Sequence, residues 1–149
     1  MRKHNGFTLV ELVVVVMILG ILAAVAAPKL LGTSSAAADN GIKQSLAVVR
    51  DAVERYAAEN AGALPGELNT EADLKTDLTE YLRGGFPICP VAGKDNAVKI
   101  TTTDEIIEGE AGTPAESWHY CSANGQFICN SSELTNSEAD DPTLQYDQL

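Results

Sequence analysis

Residues 6–28 read GFTLVELVVVVMILGILAAVAAP, and this stretch decides the architecture. The apolar run over 7–27 is long enough, at ~1.5 Å of rise per helical residue, to cross the ~30 Å hydrocarbon core of a bilayer. Its one charged side chain is Glu11. A carboxylate at mid-bilayer is disfavoured by roughly 2.5–3.5 kcal/mol on insertion scales, and by less near a helix end, so Glu11 calls for a partner and is the first candidate for function. Phe7 and Glu11 are four apart and share a helix face. Arg2, Lys3 and His4 precede the run, and the positive-inside rule holds such residues in the cytoplasm, which sends the carboxyl-terminal side out. Gly20, Ala23, Ala24, Ala26 and Ala27 cluster at the far end of the run. There they let neighbouring helices approach closely, or the alanines are simply good helix formers.

Gly6-Phe7-Thr8-Leu9-Val10-Glu11, behind a basic start and ahead of an unbroken apolar run, resembles the amino-terminal signature of the type IV pilin superfamily, which includes the pseudopilins of type II secretion systems. The resemblance covers residues 1–29 position by position and is architectural beyond them. It implies cleavage after Gly6 by a prepilin peptidase and N-methylation of the new terminus, Phe7. It implies a role for Glu11 in subunit docking and assembly, and a helix-kinking role for Pro28. Pilins, secretion pseudopilins and DNA-uptake pilins all share these features. The competing interpretation is an ordinary secretory signal with Ala24-Val25-Ala26 as its cleavage pattern, giving a secreted or singly anchored binding domain that never polymerises. The length of the apolar run and the carboxylate at Glu11 favour the membrane stem.

Beyond the stem, roughly 120 of the 149 residues remain, enough for one small domain. The formal net charge is −11, and removing residues 1–6 would take Arg2 and Lys3 away and make the chain more acidic still. This argues against a nucleic-acid-binding surface, which needs a basic patch to displace phosphate counterions.

Pro28 removes a backbone donor and should bend or loosen the helix, and Gly32-Thr33-Ser34-Ser35 weakens it again. Ile42, Leu46, Val49, Val53 and Tyr56 then recur at spacings of four, three, four and three, the signature of an amphipathic helix that ends near Asn60 and Gly62. Thr70-Glu71-Ala72-Asp73 starts a second helix, with Thr70 as N-cap and Leu74, Leu78, Tyr81 and Leu82 on its buried face, ending at Gly84-Gly85. The Phe86-Pro87-Ile88-Cys89-Pro90 segment must be extended, because a residue before proline is pushed out of the α region. Residues 98–102 form a strand, 104–116 an acidic loop, and 118–129 a hairpin about a type I′ Asn124-Gly125 turn. That register sets Tyr120 opposite Cys129 and Ser122 opposite Phe127. Trp118, Tyr120, Phe127 and Cys129 then share the face that lies on the helix, with a solvated His119 on the other face.

Cys89, Cys121 and Cys129 belong to the exported part, where a disulfide is permitted. Cys121 and Cys129 point to opposite sheet faces, so Cys89 with one of them is the favoured pairing, and one thiol is left over. No C-x-x-C pair, H-x-x-x-H, G-x-S-x-G or phosphate-binding loop occurs, so neither a metal site nor a catalytic nucleophile is expected. Residues 100–149 carry ten acidic side chains and no Lys or Arg. A Ca2+ loop, as in some pseudopilins, competes here with a solvated and flexible tail. The D-x-D-x-D-G spacing is missing and the composition is polar, so the tail is preferred and no cofactor is expected.

The expected chain is therefore α+β and pilin-like, a long N-terminal helix packed on a small antiparallel sheet. It comprises a leader (1–6), a transmembrane helix (7–28), an amphipathic helix (29–62), an α+β head (63–135) and an acidic, flexible tail (136–149). The resemblance implies a structural filament subunit and not an enzyme. It also implies as partners a prepilin peptidase, further copies of itself and other pilin-like subunits, an inner-membrane assembly platform and membrane lipid. The amino terminus would be cytoplasmic, with the head in the periplasm or outside and then in a pilus or pseudopilus.

Overall fold

The computed structural model describes residues 7–135 and 143–149, with the backbone alone over 28–35. The chain divides between residues 35 and 36 into two units. Helix α1 is assigned over Leu9–Glu59, through Pro28, so the chain does not leave the helix at the proline. The predicted leader, including Gly6, lies outside the described residues.

In the first unit every side chain over Leu9–Ala27 is exposed, at a mean hydropathy of 2.9. This is a helix long and apolar enough to cross a membrane, and it buries nothing of its own. In the second unit the periodic stripe behaves oppositely. Ile42, Leu46, Val49, Ala52 and Val53 are buried together with Leu74, Leu78, Trp118, Tyr120, Phe127 and Cys129 in one core. Each such large side chain contributes on the order of 1.5–3 kcal/mol of transfer free energy before entropy is counted. The chain leaves α1 through Ala61 and Gly62, both at positive φ, with the Gly62 amide bonded to the Ala57 carbonyl at 2.7 Å.

Helix α2 spans Glu71–Leu78 and is capped as predicted, the Thr70 hydroxyl accepting from the Asp73 amide at 3.2 Å. It stops at Leu78, short of Gly84-Gly85, yet Leu82 still reaches the core through the turn that follows. Residues 84–97 form neither helix nor strand.

The sheet has three strands in the order β1 (Val98–Thr101), β2 (Trp118–Cys121), β3 (Phe127–Cys129). It is mixed, which corrects the expectation of an antiparallel sheet. β2 and β3 are antiparallel, but β1 runs parallel to β2 with Val98 opposite Trp118 and Thr101 opposite Cys121. Residues 102–117 supply the long return that a parallel pair needs, here as an irregular loop.

The hairpin register also differs. Tyr120 pairs with Phe127 and Trp118 with Cys129, so the turn occupies residues 122–125. A type I′ turn needs positive φ at both central positions, and only Gly125 has it, at +77°. The Asn124 side chain instead accepts from the Gln126 amide at 3.0 Å, and Asn-Gly closes a longer loop. The shift keeps parity, so Trp118, Tyr120, Phe127 and Cys129 do share the core face.

The acidic loop folds back over the outer face of the sheet. Ile107 is buried there with Cys121 and Ile128. A Cβ at Gly109 would lie 2.5 Å from the Ser131 carbonyl carbon, so the loop approaches the backbone as closely as glycine allows. The last residues contradict a tail that is flexible throughout 136–149. Tyr146 is buried, its hydroxyl donating to Asp39 Oδ1 at 2.7 Å, and Arg50 donates to the carbonyls of Phe127 and Leu149 at 3.0 and 2.9 Å. An aromatic anchor and the fixed Leu149 carbonyl outweigh the acidic composition. Residues 136–142 lie outside the described residues.

Candidate functional site

The exposed apolar helix begins with a device that its own residues complete. Thr8 stands just before α1 and Glu11 three positions later, the T-x-x-E spacing of a capping box. The Glu11 amide donates to Thr8 Oγ1 at 3.2 Å, while Glu11 Oε2 accepts from the Thr8 amide at 2.9 Å and from its hydroxyl at 2.8 Å. These bonds satisfy amides that the first helical turn leaves without partners. They also give one carboxylate oxygen two donors from its own chain, a partner that the apolar context of Glu11 had concealed. Phe7 is 89% exposed, and Glu11 is exposed as well. Phe7 and Glu11, the two described residues of this stretch that the resemblance singles out, thus stand as an exposed aromatic side chain and a carboxylate held one turn away. Pro28 lies inside α1.

Of the three cysteines, the fold brings two together. The sulfurs of Cys89 and Cys129 are 3.6 Å apart and both residues are fully buried. Cys121 lies on the other sheet face, its thiol donating to the Thr103 carbonyl at 3.1 Å. The contact with Cys129 holds the Cys89 thiol below its ordinary range, against the effect of burial, and the same contact with burial pushes Cys129 up. The position of Cys89 is fixed by its neighbours. The Trp118 indole donates to the Pro87 carbonyl at 2.9 Å, Phe86 sits edge-on to Phe127 with centroids 6.0 Å apart, and the Cys89 amide donates to Asp95 O at 2.8 Å.

His119 is buried, not solvated, because the acidic loop covers it. Its Nδ1 lies 3.2 Å from the Glu108 carbonyl oxygen and its Nε2 2.7 Å from Thr101 Oγ1. A carbonyl only accepts, so Nδ1 carries the proton and Nε2 accepts from the threonine. Burial lowers the pKa of this ring and keeps it neutral. The arrangement holds β1, β2 and the loop together, and among the described residues the ring nitrogens face a hydroxyl and a backbone carbonyl rather than a carboxylate. Among the described residues no three His, Cys, Asp or Glu side chains come together to hold a metal ion. Asp147 Oδ2 accepts from the Gly109 amide at 2.8 Å while its Oδ1 is buried without a hydrogen-bond partner. Glu138, Asp140 and Asp141 of the acidic stretch lie outside the described residues.

Residues 1–27 match the family model of the prokaryotic N-terminal methylation motif. The chain is similar to type II secretion system core protein G of Vibrio cholerae, 41% identical over 91 residues, or 58% of this chain and 62% of that protein. It is also similar to the proteins of that name from Klebsiella pneumoniae, 34% identical over 58% of this chain and 65% of that one, and Pseudomonas aeruginosa, 37% identical over 50% and 52%. The matches span less than two thirds of the length of these curated relatives. No solved structure matches the chain. The chain thus joins a prokaryotic N-terminal methylation motif to an exposed apolar helix, and its similarity to type II secretion core proteins continues into the head.

Proposed function

We propose that the chain is a structural filament subunit of the pseudopilin or pilin kind, cut after Gly6, N-methylated at Phe7 and polymerised through its N-terminal helix. The observation that carries this reading is the contrast within α1. An apolar helix that buries none of its length within its own subunit must find its contacts in lipid before assembly and in the helices of neighbouring subunits afterwards. The small side chains of Gly20, Ala23 and Ala24 suit close helix approach. Glu11, with Oε2 occupied by Thr8, keeps its second oxygen for the methylated amino terminus of a neighbour, a pairing that would set axial register. In this reading the subunit is a substrate of the prepilin peptidase and not an enzyme. It spans the inner membrane once, head outward, works with an assembly platform and other pilin-like subunits, and uses neither a cofactor nor nucleic acid.

The test is Glu11→Val in an otherwise wild-type cell. Membrane insertion, processing and the melting of the head are expected to be unchanged, and filaments to be lost or sparse. Normal filaments from a processed, methylated Glu11→Val subunit would remove Glu11 from the assembly mechanism.

A further inference from the structure

The pairing of Cys89 with Cys129 is used by nothing in the filament reading, and its setting is unusual for two spare thiols. The two sulfurs meet between residues 84–97, a segment of the head without helix or strand, and the last residue of β3. Pro87 and Pro90 fix φ on either side of Cys89, while Trp118 and Phe127, from β2 and β3, hold that segment over the sheet. Cys129 faces the core from the strand position opposite Trp118. The third thiol is excluded by the sheet itself, since adjacent strand positions point to opposite faces and Cys121 is buried with Ile107 and Ile128 on the far side. No third metal-ligating side chain joins the pair among the described residues.

We propose that Cys89 and Cys129 form a disulfide that staples residues 84–97 to β3, and that Cys121 stays a free, buried thiol. The inference rests on the exported placement of the head, since only an oxidising compartment maintains such a bond. The sulfurs must approach by about 1.5 Å to reach bonding distance, a movement that side-chain torsions can supply. The oxidant is the disulfide of a thiol–disulfide oxidoreductase. The Cys89 thiolate attacks one sulfur of that disulfide, forming a mixed disulfide and releasing one oxidant thiolate. The Cys129 thiolate then attacks the Cys89 sulfur, the protein disulfide forms, and the second oxidant thiolate leaves. Two cysteine thiols lose two electrons and two protons, and the oxidant gains both. Since both residues are fully buried in the folded head, the exchange takes place while the chain is still folding. The head then reaches its full stability only after export, because the closed loop restricts the unfolded chain.

The experiment uses the full chain in detergent, reduced and unfolded, then refolded in a buffer of oxidised and reduced glutathione, quenched with acid, alkylated and mapped without reduction. The expected result is one cross-linked peptide pair containing Cys89 and Cys129, with Cys121 alkylated, and the same pair in Cys121→Ala. Reduction is expected to lower Tm by several degrees in the wild type and in Cys121→Ala, and to leave the double variant Cys89→Ala, Cys129→Ala unchanged. All three thiols alkylated, or Cys121 in the cross-link, would overturn the inference, and the mapping decides the matter even if the double variant fails to fold. Because the oxidant is supplied in the tube, this outcome does not depend on export. The filament reading fails separately, on the mature amino terminus of the cellular protein.

Discussion

The two halves of α1 obey one helical geometry and opposite rules of burial. Over Leu9–Ala27 the apolar residues surround the whole helix and none is covered. Over 42–56 a stripe of them, Ile42, Leu46, Val49 and Val53, is buried in one core with residues of the sheet and α2. A stripe has one partner, and it is found within the chain. A helix that is apolar all round has no inside of its own, so its partners lie in lipid or in other chains. The same hydrophobic effect thus folds the head and leaves the stem uncovered.

The strongest way to break this comparison is to truncate one leucine in each half. Leu46→Ala should destabilise the head by about 2–5 kcal/mol, because Leu46 is 1% exposed and leaves a cavity among packed neighbours. This corresponds to a fall in Tm on the order of 10 °C or more. Leu12→Ala, in the exposed stem, should leave the melting of the head where it was. Thermal melts of the two variants in detergent check this, and a comparable fall in both would show that the stem is part of the folded core.

A smaller effect concerns the sheet face that the acidic loop covers. Burial lowers the pKa of His119 in the folded head, so the unfolded chain takes up the proton first. Stability from this residue is complete above the unfolded value of about 6.5 and is lost as pH falls below it through the depressed folded value. Melts between pH 7.5 and 5 should therefore show Tm declining in the wild type, with a shallower slope in His119→Gln. Equal slopes would mean that the acidic loop does not seal the histidine. Smallest of all is Thr8→Ala. It removes the hydroxyl from the capping box at a cost of about 0.5–2 kcal/mol to the first turn of α1, with no change in the head. Hydrogen exchange at the Glu11 amide should quicken in Thr8→Ala and stay slow in Thr8→Ser, and unchanged exchange would discount the cap.

Those residues also mark what could be read from the sequence and what could not. The stripe from Ile42 to Tyr56 and the cap at Thr70 are local signals, and both hold in the structure. The cap at Thr8 has the same spacing as the one at Thr70 and was hidden because a carboxylate in an apolar run draws attention to distant partners. The direction of β1 was not legible, since nothing within Val98–Thr101 says which way the chain returns through residues 102–117. Asn124-Gly125 marked the turn, but its length depended on the φ of Asn124, which a dipeptide does not dictate. The burial of His119 and of Tyr146 likewise came from segments whose acidic composition reads as solvated, and whose buried apolar side chains, Ile107 and Tyr146 itself, decide otherwise.

The retention of the stem is the claim on which the filament reading stands, and the mass of the mature subunit taken from the membrane fraction tests it most directly. The predicted result is a chain that begins at Phe7 and carries one additional methyl group on that residue. A chain that begins near Ala27 would contradict it, because the helix assigned here to the filament would then have been discarded.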